Sequence, residues 1–201
     1  MVQEKEDMSR DPIIEKIRNA KPPDSSLPEI DVSRFSDESG KAETFIRNLE
    51  SVGGRVVHIS SRREISPQIA ALFPDAKEIV SCVEGVDCGT IDTGKISSAK
   101  ELEKLDLAII EAHFGVAENG AVWVTDKNFF HRSIPFIAAH VVVVLQQEKI
   151  VENMHEACAR LNEFHEGYGV FISGPSKTAD IEQSLVIGAQ GPLSLTVFLE
   201  Y

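Results

Sequence analysis

The chain has 201 residues, of which 42% are hydrophobic and 26% are charged, and its formal net charge is -12 at pH 7. This composition is typical of a globular protein with a sizeable core. The acidic balance argues against nucleic-acid binding and against binding to anionic membranes, because no basic stripe can outweigh it. The longest apolar stretch, residues 134–145, is far shorter than the roughly 20 residues that a membrane-spanning helix needs. Because the N-terminus is charged and lacks the apolar segment of a signal peptide, we expect a cytoplasmic protein.

The three cysteines, Cys82, Cys88 and Cys158, are widely spaced and form no C-x-x-C pair. A self-contained iron–sulfur cluster usually needs four closely spaced thiolates, so we expect this chain alone to hold none. Three unpaired thiols fit a reducing compartment, and the preferred interpretation is that they are small buried hydrophobic residues.

The first 35 residues are predicted to form an N-terminal arm. Residues 11–20 have the pattern of a short helix, with Asp11 as N-cap and Pro12 in the first turn, and the proline-rich residues 21–28 end it. The isoleucine face of this helix must dock either on its own core or on a neighbouring subunit. Residues 36–201 are predicted to form one domain.

Helical and extended patterns alternate through the first half of this domain. Helices are predicted over residues 39–52 and from Ser66 to Phe73, strands over residues 55–59 and 78–80, a loop or sheet edge over residues 84–97, and one or two helical turns over residues 98–105.

The second half is rich in strand patterns. Strands are predicted over residues 106–116 and 121–125, and the Asn-Gly step between them is a strong hairpin signal. A turn or short helix over residues 133–139, a buried strand over residues 140–145 and a core-facing helix over residues 150–164 follow. The two halves together predict an α/β domain with a mixed sheet flanked by helices.

The stretch from residue 168 to residue 199 alternates apolar, strand-like runs with Gly/Pro turns that carry polar side chains. Such turns are where α/β sheets usually place binding groups. If Ser176 or Thr178 caps a helix that begins at Ala179, free backbone N–H groups there hold a carboxylate or phosphate, and Asp180 and Glu182 favour its first turn. If the segment is extended, Asp180 and Glu182 share a face.

Other candidate groups lie in the middle of the chain. Glu118 is either a solvated turn residue or a functional carboxylate, and Asn119 beside it is a ligand-binding candidate. His140 begins a Val-rich strand and is either a satisfied core residue or a general acid/base or anion contact. Glu111 and His113, at i and i+2, are predicted to share a face of one strand and, with Glu118, form a weak candidate for a metal site. The favoured prediction is that no metal binds.

The sequence reads ISGPSKTADIE at residues 172–182 and GAQGP at residues 188–192. These motifs resemble the closing signature of the LutC/YkgG proteins, the stand-alone LUD (lactate utilisation) domain family. Residues 105–121 are similar to a segment in which the family typically has a Thr-Gly-Ala-Asp-like strand followed by Ala-Glu-Thr-Gly-Thr. Pro135 and His140 resemble the family's Pro-Pro-x-His-Ile segment, and the Ile-rich arm resembles its N-terminus.

The resemblance implies a fold like that of the NagB/RpiA/CoA-transferase group. It also implies a role in a cytoplasmic iron–sulfur system that oxidises L-lactate to pyruvate, in which other subunits carry the clusters. The leading prediction is that this chain is a subunit or accessory of that system and binds its partners and a small carboxylate. The chain departs from the family where residues 117–121 read Ala-Glu-Asn-Gly-Ala and lack two hydroxyls, and where Glu111 and His113 replace Gly and Asp. These departures leave open whether the function has changed.

Two alternatives remain beside a LutC-like subunit. Glu-Asn-Gly at residues 118–120 also resembles the short motif that carries the nucleophilic glutamate of CoA transferases, whose carboxylate attacks an acyl-CoA to form an anhydride. The Gly-rich motif of those enzymes is not found in this sequence. The alternatives are therefore a free-standing acyl- or CoA-handling enzyme that uses Glu118, and a scaffold protein without a ligand.

Overall fold

The structure is a computed structural model that describes residues 10–22, 25–26, 28, 31, 40–96, 98–179 and 185–201. The chain divides into two compact units, residues 1–32 and residues 33–201. In the first unit, helix α1 (Arg10–Asn19) confirms the predicted arm helix, and its side chains Ile13 and Ile17 are exposed.

The described part of the second unit contains four helices and eleven strands. The helices are α2 (Lys41–Ser51), α3 (Ile65–Leu72), α4 (Ile134–Ile137) and α5 (Met154–Arg160). The strands are β1 (Arg55–Ile59), β2 (Ile79–Ser81), β3 (Leu107–Glu111), β4 (Phe114–Val116), β5 (Ala121–Thr125), β6 (His140–Gln146), β7 (Ile150–Val151), β8 (Gly169–Ile172), β9 (Lys177–Ala179), β10 (Leu185–Ile187) and β11 (Ser194–Glu200). Short 3-10 turns cover Arg62–Glu64, Thr93–Lys95, Ala99–Leu102, Gln147–Lys149 and Leu161–Glu163.

The larger sheet has five strands in the order β1-β11-β6-β3-β2, and all of its neighbours are parallel. Its central strand β6 contains the apolar run of residues 141–145, all fully buried. A strand covered on both faces has this continuous apolar pattern, because neither row of side chains meets water. The predicted strands at residues 55–59 and 140–145 are thus confirmed.

A second sheet has the order β7-β4-β5-β8, in which β5 pairs antiparallel with both β4 and β8 and β7 pairs parallel with β4. Strands β9 and β10 form a separate antiparallel pair. Helices, a parallel sheet and a mixed sheet in one unit confirm the predicted α/β class.

Successive side chains of β6 alternate between the two faces of the parallel sheet, so they contribute to two separate apolar layers. Val141 and Val143 pack with Phe45 and Leu49 of α2 and with Val122 of the second sheet. The alternate residues of β6 face the other way and pack with α3. A third apolar cluster, under α5, covers the outer face of the second sheet. The layers are therefore α3, the parallel sheet, α2 with the second sheet, and α5.

Two of the predicted elements are wrong in extent. Residues 106–116 are not one strand, because β3 ends at Glu111 and the next two residues carry the chain from the first sheet to β4 in the second. The helix predicted over residues 150–164 begins only at Met154. Ile150 and Val151 pair with β4 instead, and the side chain of Asn153 caps α5 by accepting the Glu156 N–H at 3.0 Å.

Among the described residues, no helix combines the length and the apolar character that crossing a membrane demands.

Candidate functional site

Glu118 lies in the turn of residues 117–120 that joins β4 to β5, in the hairpin that the Asn-Gly step predicts. Gly120 has a φ of 64°, a conformation that residues with a Cβ rarely adopt. The Asn119 side-chain oxygen accepts the Ala121 N–H at 3.0 Å. Asn119 was predicted to contact a ligand, and in the structure its side-chain oxygen holds the turn.

The turn packs directly on helix α2. The Asn48 side-chain nitrogen Nδ2 donates to the backbone oxygens of Ala117, at 2.8 Å, and Glu118, at 3.0 Å. A Cβ built on Gly120 would lie 2.4 Å from the backbone nitrogen of Leu49. The two backbones can approach this closely only because residue 120 is glycine, so the position of Glu118 is set by α2.

The Glu118 side chain is exposed, and it is oriented by the start of α5. Its Oε2 accepts the Met154 N–H at 2.7 Å. The Asn153 side chain accepts the Glu156 N–H, so the side chains of Glu118 and Asn153 together satisfy two of the N–H groups at the start of α5. Glu118 thereby joins the turn to the β7–α5 connection.

Glu118 lines a cavity of about 370 Å³, which we call the Glu118 cleft. Its walls also include Lys41, Arg47, Asn48 and His155. Two of these side chains are permanent cations, and they lie in a chain with a net charge of -12. A volume of this size falls in the range of about 300–1,000 Å³ that is usual for small-molecule sites.

The two cations of this cleft, Lys41 and Arg47, already contact other side chains of the protein. The Lys41 nitrogen Nζ is 3.9 Å from Glu156 Oε2, and Arg47 Nη2 donates to Thr44 Oγ1 at 3.4 Å. The Lys41 pair is long and half-exposed, so it contributes little to stability. An anionic ligand can therefore compete for Lys41 at small cost.

The second predicted catalytic residue, His140, lies elsewhere. It lines a different cavity, of about 520 Å³, formed by residues 53–55, 72–76, 106, 139–140 and 194–196. We call this the amino-end cleft. Its ring nitrogen Nδ1 is 2.7 Å from Ser194 Oγ, and burial lowers its pKa, against the opposing effect of the Asp106 charge. The structure thus does not bring Glu118 and His140 together.

Ser194 was not singled out from the sequence. It is the register partner of His140 on the neighbouring strand β11, although 54 residues separate them along the chain. No local pattern marks such a pair, because it is created by strand order alone.

The prediction that Glu111 and His113 lie on one strand is wrong. Glu111 ends β3 and forms an ion pair with Arg62. His113 lies after the break, where its Nε2 is 2.8 Å from Thr125 Oγ1, and burial lowers its pKa. Within the described ranges, no three His, Cys, Asp or Glu side chains are grouped so that they could hold a metal ion.

The predicted anion site after residue 176 is also wrong in its helical form. Thr178 lies in β9 opposite Val186, so it caps no helix. The Ser176 hydroxyl donates to the Gln190 backbone oxygen at 2.8 Å, and its N–H donates to the Pro192 oxygen at 2.9 Å. Ser176 therefore fastens the segment after β10. Asp180 and Glu182 lie outside the described residues.

Several relatives of this chain carry the name Lactate utilization protein C. Lactate utilization protein C of Oceanobacillus iheyensis is 30% identical over 101 residues, which cover 47% of this chain and 43% of that protein. The protein of the same name from Shouchella clausii is 32% identical over 102 residues, which cover 48% and 44%. The one from Geobacillus thermodenitrificans is 32% identical over 97 residues, which cover 45% and 40%. The chain thus spans less than half the length of the curated relatives it matches.

A solved structure shares the fold. The crystal structure of a DUF162 family protein from Deinococcus radiodurans matches 79% of this chain and 95% of its own length, with a TM-score of 0.58 and 18% identity. At this identity the likeness concerns the fold alone. The family model of the LUD domain matches residues 92–199, which is more than half of the chain and includes both Glu118 and His140. The resemblance inferred from the motifs is thereby confirmed: the chain belongs to the LUD domain family.

Proposed function

We propose that this chain is a LutC-like subunit or accessory protein of a cytoplasmic system that oxidises L-lactate to pyruvate, and that it binds a small carboxylate in the Glu118 cleft. The name Lactate utilization protein C, shared by its relatives, supports the connection to lactate. The observation that carries the binding proposal is the cleft itself, in which Lys41 and Arg47 lie beside the oriented carboxylate of Glu118.

The cleft offers matching groups to a 2-hydroxy acid. The carboxylate of such a ligand pairs with the Lys41 ammonium and the Arg47 guanidinium, and charge-assisted hydrogen bonds of this kind contribute about 1.5–3 kcal/mol each. The ligand hydroxyl donates to the free oxygen of the Glu118 carboxylate, whose other oxygen is held by the Met154 N–H. A simple carboxylate without a hydroxyl leaves this last interaction unmade, so the proposal implies a preference for lactate over acetate.

The redox centres belong to partner proteins in this proposal. Oxidation of lactate to pyruvate releases two electrons and two protons, and the electrons pass to iron–sulfur clusters on partner subunits. The three cysteines of this chain are widely spaced, and Cys158 is exposed while Cys82 and Cys88 are half-buried. This chain contributes binding of the organic acid and contacts with the partners.

The binding proposal is tested by thermal denaturation and calorimetry with L-lactate, pyruvate and acetate at constant ionic strength. At a ligand concentration ten times the Kd, specific binding stabilises the native state by about 1.4 kcal/mol. Lys41→Gln should weaken lactate binding about tenfold, and Glu118→Gln should abolish the preference for lactate over acetate. Lys95→Gln is the control, because it removes the same charge at an exposed lysine paired with Asp92. A native protein that lactate stabilises no more than chloride would contradict the proposal.

The subunit proposal is tested by affinity purification of the tagged chain from its native cytoplasm without oxygen, with bound proteins and iron measured. Recovery of iron-containing partners is expected. Recovery of a colourless protein alone contradicts the subunit role. An acyl-CoA reaction that disappears in Glu118→Gln would then favour acyl transfer, the alternative use of the same carboxylate.

A further inference from the structure

The amino-end cleft lies where three neighbouring strands of the parallel sheet begin. Arg55, Ser194 and His140 are the first residues of β1, β11 and β6. Ser194 is in register with His140, and Arg55 is in register with Thr196, two residues further along β11. Because side chains two apart on a strand share a face, Arg55, Ser194 and His140 all lie on the face that α3 covers.

The imidazole of His140 is held on one side and open on the other. Nδ1 is 2.7 Å from Ser194 Oγ, and the ring of Phe73 lies against the imidazole with a centroid distance of 5.2 Å. The other nitrogen, Nε2, has no hydrogen-bond partner in the part of the chain that the structure describes, and it is not sealed from solvent. A ring fixed at one nitrogen with the other accessible from a cleft is suited to contact a ligand.

The charges around the cleft leave one cation without a partner. Arg55 is exposed, and its guanidinium forms no ion pair or hydrogen bond within the described ranges. Of the two carboxylates that line the cleft, Asp106 already accepts the backbone N–H groups of Lys77 and Glu78, at 2.8 and 2.9 Å, while Asp75 is exposed. The Asp106 carboxylate is thus held by the residues that precede β2, whereas Arg55 and the exposed Asp75 have no ion pair within the described ranges.

We propose that the amino-end cleft is a second ligand site, separate from the Glu118 cleft, and that it takes a small organic or inorganic anion bearing a carboxylate or phosphate group. The anion lies between the Arg55 guanidinium and His140 Nε2. Arg55 and His140 lie on strands two spacings, about 10 Å, apart and are offset by two residues, about 7 Å, along the strand direction, so their Cα atoms are about 12 Å apart. The long arginine side chain and a ligand of a few atoms can bridge this distance. When Ser194 donates its hydroxyl to Nδ1, Nε2 carries the hydrogen and donates to the anion.

The site has a defined response to pH. An anion beside the imidazole favours its protonated form, so binding should strengthen as the pH falls through the pKa of His140. The groups that face the ring from the packed elements are Ser194 of β11, Asp106 before β3 and Phe73 after α3. Arg55 and Asp75 also line the cleft. Burial lowers the pKa of His140, and the charge of the Asp106 carboxylate acts in the opposite direction.

The histidines themselves provide the test, because one lies in each cleft. The chain has six, of which His140 lines the amino-end cleft and His155 lines the Glu118 cleft. Long-range 1H–15N spectra of the imidazoles are recorded while the protein is titrated with inorganic phosphate, with pyruvate and with sodium chloride, and the His140 signals are assigned by their absence in His140→Gln. We expect a saturable shift of the His140 signals with phosphate, with pyruvate or with both, and the responding anion identifies the ligand class.

Matched variants separate this site from general charge effects. Arg55→Gln should weaken the His140 response about tenfold, whereas Arg160→Gln, which removes an exposed arginine that lies over Phe114, should leave it unchanged. His140 signals that respond to neither anion, or that respond equally to chloride, would overturn the inference, as would unchanged binding in Arg55→Gln. A pyruvate response at His155 alone would overturn it while supporting the proposed function. A pyruvate response at His140 alone would support it and count against the proposed function.

Discussion

The close contact between the Glu118 turn and helix α2 makes a strong prediction for Gly120→Ala. Alanine at this position must either keep a φ near 64° with its Cβ 2.4 Å from Leu49 N and 2.5 Å from Leu49 Cα, or move the turn away from the helix. Real Cβ atoms do not approach a backbone this closely, so the turn must move. The two hydrogen bonds from Asn48 to the turn are then lost or lengthened.

The cost can be worked from these contacts. A residue with a Cβ in the left-handed region costs roughly 1–2 kcal/mol, and two hydrogen bonds contribute about 1 kcal/mol each. Gly120→Ala should therefore lower the free energy of unfolding by about 3–4 kcal/mol. Typical domains are stable by about 5–15 kcal/mol, so the variant should still fold.

Urea denaturation measures this change, and Gly85→Ala is its matched control. Gly85 has a φ of 78°, and a Cβ built on it meets no atom within 4 Å. The control therefore suffers the conformational cost alone, about 1–2 kcal/mol. Equal losses of stability in the two variants would refute the argument that the turn is fixed on α2. In the folded Gly120→Ala protein, lactate binding should also weaken, because Glu118 is displaced.

Three further predictions concern the cap of helix α5, the Asp106 carboxylate and the two cysteines Cys82 and Cys158. Asn153→Ala removes the cap of α5 and should lower the free energy of unfolding by about 1 kcal/mol in urea denaturation, whereas no loss would contradict the capping bond. Hydrogen bonds from two backbone N–H groups lower the pKa of Asp106. Its contribution to stability is therefore present above the unfolded pKa of about 3.9 and is lost as the pH falls through the lower folded pKa. Asp106→Asn should be less stable than the unchanged protein at pH 7 and should lose less stability in acid, and parallel pH profiles of the free energy of unfolding would contradict this. Burial raises the pKa of the Cys82 thiol to about 11, so at pH 8 only about one thiol in a thousand is ionised. Mass spectrometry after iodoacetamide treatment should find the exposed Cys158 modified well before Cys82, and equal labelling would contradict the burial of Cys82.

Much of the fold could be predicted from local patterns. The apolar run at residues 141–145 indicates a strand buried on both faces, and the spacing of Phe45 and Leu49 indicates a core-facing helix. The boundaries between consecutive elements are harder to predict from the sequence. Ala112 and His113 are as compatible with a strand as their neighbours are, and the chain leaves the first sheet there only because β4 is paired by β5 and β7.

The candidate site was less predictable for a related reason. Glu118 was found from its motif, but Asn48, which holds its turn, lies 70 residues earlier in the chain. A sequence pattern predicts the face of its own helix or strand on which a side chain lies. It does not predict how far that side chain is from a residue of another element. The separation of Glu118 from His140, and the pairing of His140 with Ser194, depend on the order of strands in the sheet and could not be read from either motif.

The position of β11 between β1 and β6 has a consequence for how the protein reaches its structure. Among the described strands, β1 pairs with β11 alone, and about 130 residues lie between the two strands. Closing a loop of that length costs about 4 kcal/mol of chain entropy before any contact between the strands forms. During synthesis on the ribosome, β1 must wait for almost the whole domain to emerge, with one polar backbone edge and its apolar side chains exposed. We therefore expect slow folding, and in that interval the nascent chain is the form most exposed to aggregation and to capture by chaperones.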